Sequence, residues 1–184
     1  MTGIQPSPYL ASTIWMRSRG KGMSLQGRDY TRTLVGSNRA EGQVLTVPVE
    51  GGSSAVKRGP VSSLRVSGHG DWPRIHLGAL EAAYGKEPYF AHLFPEIAEV
   101  IADYPESLTE LNGRLLGVML SFAGYADEIE HLRSLRLRHP LRVAGIAGRL
   151  EAGCDISHSY LEPLFRFGRD AIFLLLDYDK TYSA

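Results

Sequence analysis

The sequence predicts an α+β fold, with a small, mostly antiparallel sheet in the N-terminal third packed against C-terminal helices. Between residues 22 and 67 the apolar residues fall in short runs bounded by glycine and proline, a pattern typical of strands. From residue 71 onward they recur at the i, i+3 and i+4 spacing of helices. Strands that precede the helices, instead of alternating with them, argue against a doubly wound parallel sheet.

The length and the net charge of the chain limit the number of domains and the kinds of partner that can be expected. The chain has 184 residues, of which 43% are apolar, so we expect a single domain over 1–184, strand-rich over 1–67 and helix-rich over 68–184. Its 20 basic residues balance 20 acidic ones. A neutral chain gives no reason to expect nucleic acid or an anionic membrane surface as a partner.

The expected location is the cytoplasm. A lone cysteine, Cys154, cannot form an intramolecular disulfide, which suits a reducing compartment. The N-terminus has no basic segment followed by a long apolar run, so no signal peptide is predicted. The most apolar stretch, AIFLLLDY at 171–178, is too short to span a bilayer.

Four runs predict the strands: MSLQG (23–27), RDYTRTLVG (28–36), QVLTVPVE (43–50) and PVSSLRVS (60–67). The third is the clearest, because it is dense in β-branched residues. Pro48 has no amide to donate, so it should lie at a sheet edge or near the strand's end. The glycine- and serine-rich segment 51–59 is predicted to be a loop, and a short amphipathic helix is predicted before the sheet, over 9–18.

The helix that follows residue 70 has the clearest pattern in the chain. Asp71 is a plausible N-cap, and Gly85 is placed to end the helix in the left-handed conformation. Between them one helical face carries Trp72, Ile75, His76, Ala79, Leu80, Ala83 and Tyr84.

Two further helices are predicted, and the last third is less regular. The first covers 87–104 and should bend or restart at Pro95. The second begins at Ser107, which forms a capping box with Glu110, and its glycines at 113, 117 and 124 either weaken it or admit a close neighbour. Leucine alternates with arginine over 131–142, as in a strand with one cationic face. For residues 158–178 the sequence predicts two short helices with a break near Gly168.

Common catalytic and cofactor motifs are absent from the sequence. It has no GxGxxG, phosphate-loop, HExxH or G-x-S-x-G motif, and its six histidines lack metal-ligand spacing, so neither a metal nor a cofactor is predicted. The sharpest single candidate is His76, an imidazole inside an apolar stripe. It is either a core histidine bonded to a backbone carbonyl or a group that transfers a proton. Cys154 and His158 form a nucleophilic pair only if the fold brings them together.

The aromatic and arginine candidates also have two interpretations. Trp72 and Tyr84 are core packing residues or the wall of a ligand site. Arg28, Tyr30 and Arg32 share one face of a regular strand, where an arginine beside an aromatic ring can grip a carboxylate or phosphate. The alternative for these arginines is a solvated strand face or a structural ion pair.

Four segments in consistent order resemble the WbqC-like family of bacterial proteins, in the shorter form found among Bacteroidetes. IQPSPYL resembles its P-x-Y-L opening and VLTVPVE its TVPV strand. HGDWPRIHLGALEAAYGKEPYF resembles its W-x3-H…Y-x3-P-[YF]-F block, and SLTELNGRLL its L-x2-L-N-x2-L helix. The resemblance covers about residues 4 to 120. By position it singles out Tyr9, Arg32, Thr46, Pro48, Trp72, His76, Tyr84 and Asn112.

The resemblance implies a role in O-antigen-type surface-polysaccharide biosynthesis. Transfer of an amino acid such as glycine to a sugar has been suggested for the family, and its fold is expected to be a single WbqC-like domain. This chain departs from the family pattern before the TVPV strand. Family members often carry an Arg-Asn-Arg run there, whereas here only Arg32 is in place and Asn38 and Arg39 are displaced.

Two functions of different classes follow from these expectations. As an acyl or aminoacyl transferase, the protein would use His76 as general base. Arg32 would hold the phosphate of a nucleotide sugar, and Trp72 or Tyr84 would pack against the ligand. As a non-catalytic carbohydrate-binding or assembly protein, it would need only a concave site for a sugar, and an oligomer is open in either case. A buried His76 bonded to backbone favours the second function, and an imidazole that opens beside Arg32 favours the first.

Overall fold

The computed structural model describes residues 30–36, 42–124 and 161–171. Over these residues it contains a two-stranded antiparallel sheet and five α-helices, so the predicted α+β class is confirmed. None of the helices in these ranges is both long and apolar enough to cross a membrane. The predictions for 9–18, 23–27, 131–142 and 172–178 lie outside the described residues.

The sheet pairs β1 (Arg32–Val35) with β2 (Gln43–Thr46). In its register Arg32 lies opposite Thr46 and Thr33 lies opposite Leu45. The Thr33 and Leu45 side chains are buried against the helices, whereas Arg32 and Thr46 are exposed. This alternation follows from the two-residue period of a strand and gives the sheet one face in the core and one on the surface.

Pro48 lies two residues beyond the end of β2, as expected for a residue without an amide hydrogen to donate. Beyond it, α1 (Gly52–Arg58) occupies the segment predicted to be a loop, and that prediction is wrong. Gly51 and Gly52 have φ of 73° and 54°, which lets the chain turn sharply into the helix. The half-buried Ala55 and Val56 pack α1 against the core.

The strand predicted over 60–67 is also wrong. A 3-10 turn spans Val61–Ser63, and only isolated bridges follow it. The amide of Val66 donates to the Glu106 carbonyl, 2.7 Å away, and the amide of Ser67 donates to the Pro48 carbonyl at 2.8 Å. This extended segment therefore lies between the end of the sheet and the start of a later helix, instead of continuing a ladder.

The prediction of a helix after residue 70 is confirmed by α2 (Trp72–Tyr84). Its ends differ from the prediction. The Asp71 carboxylate pairs with Arg74 and caps no amide, and Gly85 has a right-handed φ of −58°. The pattern predicts Ile75 on the apolar face, but this side chain is 52% exposed. The buried positions follow a strict four-residue spacing, which makes the stripe narrower than predicted: Trp72, His76, Leu80 and Tyr84.

The next helix, α3 (Phe90–Ala102), packs between α2 and α4 (Leu108–Phe122). It continues through Pro95, so the helix does not restart there, and the alternative of a bend stays a prediction. Pro95 lies on the exposed side of the helix and within its first two turns. The residues that α3 buries against its neighbours are on the other side of the helix: Leu93, Ile97 and Ile101.

The start of α4 confirms half of the capping box. The Ser107 hydroxyl accepts from the Glu110 amide at 3.4 Å, while the Glu110 carboxylate turns to Arg114, 2.7 Å away. In the last described segment, α5 (Leu161–Phe167) packs against α3 and is followed by a 3-10 turn, Gly168–Ala171. The predicted break near Gly168 is therefore confirmed.

Candidate functional site

His76 lies beneath the end of β2. Its imidazole is 3% exposed and its Nε2 is 3.3 Å from the Thr46 carbonyl oxygen. Because a carbonyl can only accept, Nε2 carries the proton in this contact. The ring also meets the edge of Trp72, with the two ring centroids 5.0 Å apart.

Burial lowers the pKa of His76 from its usual 6.5 to about 4, and the hydrogen bond to Thr46 offsets part of this effect. The imidazole is therefore neutral at neutral pH. A neutral imidazole has the correct form for a general base, but a pKa this low makes it a weak one. At 3% exposure the ring also has little surface to offer a substrate.

The Thr46 carbonyl faces away from β1. The amide of Val47 donates to the Thr31 carbonyl at 2.8 Å, so Thr31 and Val47 form a hydrogen-bonded pair. Arg32 and Thr46, the next pair along, are then a non-hydrogen-bonded pair whose backbone groups point outward. Among the described residues, His76 bonds the carbonyl on this outer edge of β2.

The same pairing brings the Arg32 and Thr46 side chains together on the exposed face. Side chains are closest in a non-hydrogen-bonded pair, with Cα atoms about 4.5 Å apart. A guanidinium beside a hydroxyl offers donors for an anion or for sugar hydroxyls. Their exposed face is the outer side of the sheet, whereas His76 is buried.

Tyr84 and Asn112 hold the two ends of β1. The Gly36 amide donates to the Tyr84 hydroxyl at 3.0 Å, and the Asn112 side-chain amide donates to the Tyr30 carbonyl at 3.1 Å. Both side chains are buried. Three predicted site residues from two helices thus bond the backbone at the end of β2 and on both sides of β1.

Trp72 is a packing residue in this arrangement. It is buried and packs against His76 and against Tyr104, whose ring centroid is 4.9 Å away. Its indole nitrogen is buried without a hydrogen-bond partner in the described part of the chain. Tyr9, the remaining predicted ligand-binding residue, lies outside the described residues, as do Cys154 and His158.

A cleft that the sequence did not predict lies where α3, the end of α4 and the 3-10 turn meet. It has a volume of about 450 Å³ and is lined by Tyr89, His92, Ser121, Phe122 and Arg169. The only hint in the sequence was the aromatic pair of EPYF, because the other lining residues come from distant segments. In the described ranges, no group of three His, Cys, Asp or Glu side chains is arranged to hold a metal ion.

The described residues define an α+β protein in which polar side chains of the helices form hydrogen bonds with the backbone at and beside the strands of the small sheet. The sequence profile of the WbqC-like protein family matches residues 26–157. Because the match covers more than half of the chain, the protein belongs to this family. No curated protein and no solved structure matches the chain. The Bacteroidetes form and the single domain over 1–184 stay predictions.

Proposed function

We propose that this protein acts in the biosynthesis of a bacterial surface polysaccharide and binds a sugar or nucleotide sugar on the exposed face of its sheet. Membership of the WbqC-like family supports the pathway, as the family resemblance implies. The adjacent, exposed side chains of Arg32 and Thr46 support the place of binding. A cytoplasmic location stays a prediction.

The hydrogen bonds behind the sheet support the proposed site. The side chains of His76, Tyr84 and Asn112 bond the backbone of Thr46, at the end of β2, and of the residues that flank β1. A ligand then meets Arg32 and Thr46 at a fixed separation, and less conformational entropy is lost on binding. In this proposal His76, Tyr84 and Asn112 do not contact the ligand. They are positioning residues, because they hold the backbone that carries Arg32 and Thr46.

The environment of His76 favours binding over His76-catalysed transfer. In aminoacyl transfer, a sugar amine attacks the activated carbonyl, the bond to the donor's leaving group breaks, and a base takes the amine proton. That base must lie within hydrogen-bond reach of the attacking group. The imidazole instead lies under the sheet and bonds a backbone carbonyl.

The first test is the affinity of the Arg32→Gln variant for sugars. Calorimetric titration with uridine diphosphate N-acetylglucosamine and with glucosamine should give binding to the wild type, weakened about tenfold by the loss of one charged hydrogen-bonding group. Arg74→Gln removes the same charge from the surface of α2 and is the matched control. Equal affinity in wild type and Arg32→Gln, or no binding to either, contradicts the proposal.

A second assay separates binding from catalysis. Wild type and His76→Gln are incubated with a glycyl thioester and glucosamine, and the glycyl amide is measured by mass spectrometry. We expect no product above the uncatalysed background. Product formed by wild type and lost in a folded His76→Gln protein would establish the transferase and overturn the non-catalytic version of the proposal.

A further inference from the structure

The cleft between α3, α4 and the last described turn combines two aromatic side chains with a cation. Tyr89 and Phe122 meet edge to face, with ring centroids 6.5 Å apart, and the centroid of the His92 ring is 6.4 Å from that of Tyr89. Arg169 is exposed at the cleft, and Ser121 adds a hydroxyl. This set can stack on a ring while gripping an anion attached to it.

Two glycines in left-handed conformation make room for the cleft side chains. Gly124 follows α4 with φ of 73°, and a Cβ there would lie 2.9 Å from Nε of Arg169. Gly168 follows α5 with φ of 58°, and a Cβ there would lie 2.7 Å from the Tyr89 ring. Both contacts are closer than van der Waals packing allows, so the absent side chains let Arg169 and Tyr89 take these positions.

The backbone also ties the cleft together. The Tyr89 amide donates to the Phe165 carbonyl at 2.9 Å, which joins the start of α3 to α5. Phe165 in turn stacks on Tyr84, with ring centroids 5.1 Å apart. The cleft is therefore anchored to the helix that supports the sheet, although its residues are distinct from Arg32 and Thr46.

We propose that this cleft is a second binding site, which takes a phosphorylated sugar, with the phosphate on Arg169 and the sugar ring against Tyr89. The guanidinium matches a phosphate through paired hydrogen bonds, and the aromatic face suits the apolar side of a pyranose. The choice of a sugar as the ring of this ligand rests on the proposed function. The anion grip and the aromatic wall rest on the geometry of the cleft.

The test is the binding of glucose 1-phosphate, measured by phosphorus NMR line broadening and by calorimetry. Arg169→Gln should weaken binding about tenfold or more, and Arg169→Lys should restore part of it, because lysine keeps the charge but loses the planar fork. Arg74→Gln, which removes an exposed charge from α2, is the control. Thermal melting of each Arg169 variant establishes that it folds before its affinity is compared with that of the wild type.

Comparison of probes distinguishes the ways in which this inference fails. Glucose 1-phosphate should bind more tightly than inorganic phosphate, and Tyr89→Leu should abolish that difference. Equal affinity for both probes would mean a general anion site and would overturn the inference. If sugars bind and only Arg32→Gln weakens their binding, the cleft is not a binding site, but the proposed function stands. If no sugar or sugar phosphate binds wild type, both proposals fall.

Discussion

At the scale of single residues, His76 shows how one side chain fits two hypotheses until its surroundings are known. Its place in an apolar stripe marks it as unusual but does not distinguish a buried structural role from proton transfer. The distinguishing contact is with Thr46, 30 residues earlier in the chain. The pattern of residues around His76 contains no information about a partner so far away in the sequence. The sequence therefore marked His76 as a candidate but could not predict its role.

The lowered pKa of His76 has a measurable consequence for stability. The folded-state pKa is about 4 and the usual value is 6.5, so between these values the unfolded chain binds more protons than the folded one. This contribution to stability is complete above pH 6.5 and is lost as the pH falls toward 4. Because each tenfold change in proton affinity corresponds to about 1.4 kcal/mol, the free energy of unfolding falls by about 3 kcal/mol over this range.

Denaturant unfolding of wild type and His76→Gln from pH 7 to pH 4 measures this loss. Glutamine keeps an N–H donor for the Thr46 carbonyl but does not titrate. We expect the difference in unfolding free energy between the two proteins to change by about 3 kcal/mol across the range, in favour of the variant at low pH. Parallel curves would show that the imidazole is not desolvated as the fold indicates.

At the scale of elements, helices with an amphipathic period were predictable and segments held by distant partners were not. The apolar face at i, i+3 and i+4 spacing predicted α2, and the S-x-x-E spacing predicted the start of α4. By contrast, α1 begins with Gly52 and has no buried residue, so its composition resembles a loop. The 60–67 segment forms a 3-10 turn and then an extended stretch whose amides donate to the carbonyls of Pro48 and Glu106.

The glycines of α4 can now be separated into two kinds. Gly113 and Gly117 lie inside the helix with nothing within 4 Å of an added Cβ, whereas Gly124 ends it with φ of 73° beside Arg169. Gly113→Ala and Gly117→Ala should each stabilise the protein by about 0.5–1 kcal/mol, because alanine restricts the unfolded chain more than glycine does.

Gly124→Ala should instead destabilise the protein by at least about 1 kcal/mol through its left-handed backbone, while the flexible Arg169 side chain can move away from the added methyl group. Thermal melting is a sufficient measurement, since 1 kcal/mol corresponds to roughly 2–4 °C at this chain length. An equal shift for all three variants would remove the distinction between the two kinds of glycine.

At the scale of the whole molecule, the predicted site residues form two connected groups instead of one pocket. Arg32 and Thr46 lie on the outer face of the sheet, and His76, Tyr84 and Asn112 bond its backbone from the helices. The family motifs singled out these five residues, and their role at a binding site stays a prediction. They did not predict the cleft at Arg169, which depends on residues 161–171 packing against α3, beyond the region that the family profile matches.

This arrangement predicts that a helix side chain controls the mobility of β1. Tyr84→Phe removes the acceptor for the Gly36 amide but leaves the ring and its stacking on Phe165. A partly buried amide without its acceptor costs about 1 kcal/mol or more. Hydrogen exchange of Gly36 should then be on the order of tenfold faster.

The amide of Ile97, in the middle of α3, should exchange at its wild-type rate, because α3 keeps its own hydrogen bonds. Tyr104→Phe makes the same chemical change beside Trp72 and should leave Gly36 unaffected. If Gly36 exchanges no faster in Tyr84→Phe, the hydroxyl does not hold the strand. If Ile97 accelerates equally, the variant has lost global stability, and Tyr84 supports the core instead of positioning β1.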